Sequence, residues 1–70
     1  MGEEWISLTT VATIQKNDVI RDALNPHSDS CSDYEVVTID DLDIVLKNRE
    51  GIRRVPIIEL PMMHLYYQSQ

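Results

Sequence analysis

Phenylalanine is absent from this chain, cysteine occurs once and glycine twice, and the bases are outnumbered two to one by acids. The single thiol, Cys31, has no internal disulfide partner. That sets aside the disulfide-stapled secreted class and points to a reducing, cytoplasmic setting. Of the two glycines, Gly2 and Gly51, neither lies in a G-x-x-x-x-G-K frame, so no phosphate-cradling loop is expected. No apolar run approaches the about 20 residues that span a bilayer, and the N-terminus lacks a basic-then-apolar signal pattern, so no membrane association is expected. Twelve acids against six bases leave a net charge of −6. Such a charge repels a phosphate backbone, and nucleic acid is an unfavoured partner.

What is present is a chain of 70 residues in which 43% are hydrophobic, enough for one small domain over residues 1–70. A domain of this size buries roughly 60% of its unfolded surface, so its stability alone is expected to be marginal.

The clearest break is residues 25–33, rich in Asn, Pro, Ser and Asp and free of apolar periodicity. It reads as an exposed, mobile loop. Within it Ser30 and Ser32 each precede an acid by three residues, as sites for an acidophilic kinase do, and a phosphate there meets Asp29, Asp33 and Glu35. Before the loop, Ile6, Leu8, Ala12 and Ile14 share one parity, which predicts a long strand over 6–14. A helix over 9–24 is the rival pattern. Residues 16–24 suit a turn followed by either a short helix or a strand.

After the loop the β signal strengthens. Residues 34–39 form a strand by composition, and Leu42, Ile44 and Leu46 alternate with Asp43, Val45 and Lys47, the pattern of a half-buried strand. Asn48, Arg49, Glu50 and Gly51 predict a turn, with Gly51 free to take positive φ. Residues 52–55 return as the partner strand, which Pro56 ends or confines to an edge. Residues 56–61 suit one tight turn, and 62–67 a last strand with Met63, Leu65 and Tyr67 on one face and His64 on the other. The fold class expected is mainly β: a small, bent, five-stranded sheet or barrel with one short helical turn.

The hairpin 42–55, the turn 56–61 and the strand 62–67 together resemble the architecture of SH3-like and Sm-like small barrels. The glycine of the Sm-like second strand is absent, so no RNA-contact position carries over. Residues 51–58, Gly51 through Arg53, Arg54, Val55 and Pro56 to Ile58, also resemble the helix-to-strand passage of a CBS motif, an adenosine-nucleotide sensor. The preceding helix and the glycine-rich return of that motif are missing, which disfavours it.

Catalytic and metal chemistry find little support. Asp40, Asp41 and Asp43 lack the frame and the about six to eight oxygens that calcium requires, and they read as a solvated turn. His27, Cys31 and His64 fall short of four zinc ligands at suitable spacing. Ser and His share the loop without a nucleophile elbow. No metal, no cofactor and no enzymatic activity are expected.

Two groups remain as candidate partner-binding residues. Lys47, Arg49, Arg53 and Arg54 gather four of the six bases on one hairpin. Trp5, Met62, Met63, Tyr66 and Tyr67 bring aromatic and thioether surface to the two chain ends, types favoured where proteins meet. The expectation is a non-catalytic module that binds a protein partner or copies of itself. The alternative is nucleotide or RNA contact through the hairpin 47–54.

Overall fold

A computed structural model of the chain describes residues 4–68. They form a mainly β fold of six antiparallel strands in one sheet: β1 (Trp5–Ser7), β2 (Val19–Asp22), β3 (Ser32–Ile39), β4 (Asp43–Asn48), β5 (Gly51–Pro56) and β6 (Leu65–Gln68). Two 3-10 turns, Val11–Thr13 and Ile57–Met62, complete the elements. The order across the sheet is β1-β6-β2-β3-β4-β5, so β1 and β5 are its two edges and it does not close.

The strand count corrects the five expected, and the difference lies before the loop. The long strand over 6–14 is broken after Ser7, because Thr10 turns its hydroxyl back to accept from the Ala12 amide at 3.3 Å. A local side-chain bond of this kind competes with a ladder and starts a turn. Leu8 and Ile14 are still buried, on either side of the interruption. Residues 16–24 resolve into a turn and a strand. Asn17 takes φ 79°, a left-handed conformation that asparagine tolerates better than other non-glycine residues. Its amide donates to the Val36 carbonyl at 2.9 Å, and the chain then enters β2.

β3 makes the bend. Its first half pairs with β2, Val19 opposite Glu35 and Ile20 opposite Tyr34, and its second half pairs with β4. The β3–β4 register shifts between Val36 and Thr38, so Val37 is an extra residue. The bulge lets Val36 face Leu46 and Ile39 face Ile44 although the two differ in parity. Both therefore reach the core side, and the strand gains local twist. The β4–β5 hairpin turns at Arg49 and Glu50, and Gly51 takes φ 144°. The segment a CBS-like reading makes helical is strand β4.

Leu8, Ile14, Ile20, Val36, Ile44, Leu46, Val55, Leu60 and Leu65 form the core, with Met63 and Tyr67 packed against it. Leu60 comes from the 3-10 turn Ile57–Met62, which carries the chain from the end of β5 to the start of β6. The residues of the expected loop are tied down locally. The His27 amide donates to Asn25 Oδ1, Ser28 N–H to the Asn25 carbonyl, and Ser30 N–H to Ser28 Oγ.

Candidate protein-interaction surface

Alternation along the strands decides where the basic hairpin residues stand. Arg53 lies opposite Leu46, a core residue, and so on the inner face of the sheet. Arg54 lies opposite Val45 and points outward. The sequence grouped the two as one patch, but the pleat separates them. Arg53 reaches across the inner face to β2, where its Nη1 donates to Asp22 Oδ2 at 2.6 Å. Its guanidinium also lies 5.6 Å from the centroid of the Tyr34 ring. The hydrogen bond to Asp22 raises the Arg53 pKa above its ordinary value, against the opposing effect of burial, and Tyr34 adds to the rise. Arg53 thus works as a clasp across the fold.

Outward, Arg54 contacts Asp43 Oδ2 at 3.4 Å and Lys47 approaches Glu35 at 3.9 Å, both with more than half of the basic side chain in solvent. Arg49, at the hairpin tip, is exposed and forms no ion pair or hydrogen bond with any described residue. A shallow cleft of about 780 Å³ opens between this tip and the start of β3, lined by Cys31, Asp33, Glu35, Lys47, Arg49 and Glu50. Its charges are mixed. The Cys31 thiol donates to the Ser28 carbonyl at 3.3 Å. No three of the His, Cys, Asp and Glu side chains converge on a metal position among the described residues.

The aromatic candidates divide in the same way. Trp5 and Tyr66 are half-buried on the outer face, and Arg21 of β2 stands directly opposite Tyr66 in the ladder. The Arg21 guanidinium lies 4.2 Å from the Trp5 ring centroid and forks onto Asp33 at 2.8 and 3.0 Å. It also donates to the Pro26 carbonyl at 2.8 Å, so one side chain binds β1, β3 and the loop together. Tyr67 and Met63 turn inward against the core, and Met62 stands in solvent at 73% exposure. Trp5, Tyr66 and Arg21 form one group. Met62, Met63 and Tyr67 do not join it.

Sequence reasoning missed four strongly exposed aliphatic residues: Leu24, 81% exposed, follows β2, and the other three lie around the β4–β5 hairpin. Leu42, which the alternation placed with Ile44 and Leu46, is 78% exposed, because it lies in the β3–β4 turn before the strand begins. Its carbonyl accepts from Ile57 N–H at 2.8 Å, which brings the turn beside Ile58, itself 83% exposed. On β5, Ile52 is 75% exposed. Three aliphatic side chains on ordered backbone therefore stand in water around the β4–β5 hairpin. Arg21 was missed for a different reason: its segment carried no clear periodicity, so nothing set it on a face.

No family model, no curated protein and no solved structure matches this chain. No helix among the described residues is long and apolar enough to cross a membrane.

Proposed function

We propose that this chain is a small, acidic, non-catalytic interaction module of SH3-like architecture that binds another protein or copies of itself, in the cytoplasm. The observation that carries the reading is the placement of Leu42, Ile58 and Ile52, all at least three-quarters exposed, on the turn, 3-10 segment and edge strand around one hairpin. Single exposed apolar residues are ordinary, but a set beside an open sheet edge favours association. The architecture is supported by the antiparallel run β2-β3-β4-β5 and by the 3-10 turn that returns β6 to the side of β2. The free thiol of Cys31 is consistent with a reducing compartment.

The hairpin geometry weighs against nucleotide or RNA contact. Three of its four bases already face acids, Arg53 at Asp22, Arg54 at Asp43 and Lys47 at Glu35, and they are divided between two faces.

Light scattering after size exclusion tests the reading, on the purified chain and on gentle extracts of cells that make it. The expected result is a mass above the monomer in at least one of these. The variant Leu42→Ser with Ile58→Ser returns it to the monomer with unchanged thermal unfolding. A wild-type chain that is monomeric in both overturns the proposal.

A further inference from the structure

The open edge of β5 has a definite register. The Ile57 amide bonds to the Leu42 carbonyl at 2.8 Å, one step outside the Asp43–Pro56 pair, which makes that pair a non-hydrogen-bonded one. By alternation Gly51, Arg53 and Val55 turn their N–H and C=O groups toward β4. Ile52, Arg54 and Pro56 turn theirs to the other side, where no described strand pairs. Pro56 has no N–H to offer. Ile52 and Arg54 each present a donor and an acceptor to solvent, with their side chains on the outer face.

Of the four bases on residues 43–56, Arg53 is taken up by Asp22 on the inner face and Lys47 faces Glu35, which leaves Arg54 and Arg49 to act at the edge. At physiological salt the Debye length is about 8 Å, so a strand laid on the edge senses these two bases first. Arg54 is held only by its 3.4 Å contact to Asp43, and Arg49 by none among the described residues. Both can turn to an incoming acid.

A second copy does not fit this edge well. Two-fold pairing must match the outward residues Ile52 and Arg54 with their counterparts. One register sets Arg53 against Arg53 and another sets Arg54 against Arg54, and like charges directly opposite are destabilising. The third, centred on Ile52, runs Arg54 into the partner's turn at Arg49 and Glu50 and leaves only residues 51–53 paired. A separate strand with one acid placed opposite Arg54 meets none of these obstacles.

We infer that the β5 edge takes up an extended acidic peptide as a seventh, antiparallel strand. An acid on it faces Arg54 and a β-branched residue two positions on faces Ile52; the position two further on meets the turn at Arg49 and Glu50, where an uncharged residue avoids Glu50. Backbone bonds to Ile52 and Arg54 supply the docking, and the alternating side chains supply selectivity. This inference rests on the interaction-module reading and specifies the partner's chemistry.

The test is an amide-resonance titration of the full ¹⁵N-labelled chain with an end-blocked peptide Thr-Glu-Thr-Val-Thr-Thr-Thr, and with its counterpart in which Lys replaces Glu. The expected result is shifts centred on Ile52 and Arg54 with the Glu peptide only. Exchange of those two amides with solvent is expected to slow by about tenfold or more. Arg54→Glu reverses the preference toward the Lys peptide. The inference is overturned by absent shifts at the edge, by equal response to both peptides, or by concentration-dependent shifts of these amides without peptide, which would assign the edge to a second copy. If the peptide fails while the mass above the monomer persists and depends on Leu42 and Ile58, the edge inference falls alone. If both fail, the module reading falls with it.

Discussion

Arg53 Nη1 meets Asp22 Oδ2 at 2.6 Å, joining the edge strand β5 to β2 across two intervening strands and 31 residues of sequence. The pair draws an open sheet together at the side where no backbone ladder exists. About a third of each side chain is in water, 32% for Arg53 and 34% for Asp22, so solvent screens part of the attraction. Arg53→Ala is expected to cost about 1 kcal/mol in urea unfolding. A double-mutant cycle with Asp22→Asn should return most of that as coupling, and zero coupling would show the clasp to be incidental. Because the Arg53 pKa is raised, its contribution is complete below the unfolded value and is lost only in strong alkali, so it does not vary across neutral pH.

Arg21 unites the Trp5 ring, the Asp33 carboxylate and the Pro26 carbonyl. Only a planar fork makes all three contacts, so Arg21→Lys is not conservative and is expected to cost about 1 kcal/mol. Amide exchange across residues 24–31 should accelerate more than exchange in β4. Unchanged exchange there would mean the loop holds itself without Arg21.

The two loop serines are expected to differ. Ser30→Asp lies in solvent and should change stability by less than about 0.5 kcal/mol. Ser32 is in β3 directly opposite Asp22, where a new acid faces a like charge and competes for Arg53. Ser32→Asp is expected to cost about 0.5–1 kcal/mol, measured side by side with Ser30→Asp by thermal unfolding. Equal effects would contradict the register.

Asn17, at φ 79°, gives a backbone test. Asn17→Val should cost about 1–2 kcal/mol, because a β-branched side chain collides in the left-handed region. Asn17→Gly should stay within about 0.5 kcal/mol. Chemical denaturation of the two variants distinguishes strain from loss of a side-chain contact.

The half of the chain after the loop was legible because its strands obey simple rules. Residues 52–55 alternate, Gly51 marks the turn, Pro56 ends the ladder, and Leu65 and Tyr67 share a face. Three features escaped for physical reasons. The Thr10 back-bond converts a period-two pattern into a turn, and composition alone does not reveal which threonine makes such a bond. The bulge at Val37 changes parity mid-strand, so Val36 and Ile39 reach the same side against the period. Arg53 and Arg54 looked like one basic patch because they are adjacent, whereas adjacency in a strand sends side chains to opposite faces. Of the partner-binding candidates, Trp5 and Tyr66 come together, around an arginine the sequence did not single out. The exposed aliphatic set was invisible, because Leu42 continues the strand's alternation one step beyond where the strand begins.

If the surface around the β4–β5 hairpin contacts protein in the cell, a photoreactive residue placed singly at position 58 or 42 should crosslink there, and one at position 15 should not. Position 15 lies in the turn before β2, away from the hairpin elements. The expected outcome is a discrete adduct of one mass from positions 58 and 42, and none from position 15. Adducts of the same mass from all three positions, or none from 58 and 42 in a folded chain, would contradict it.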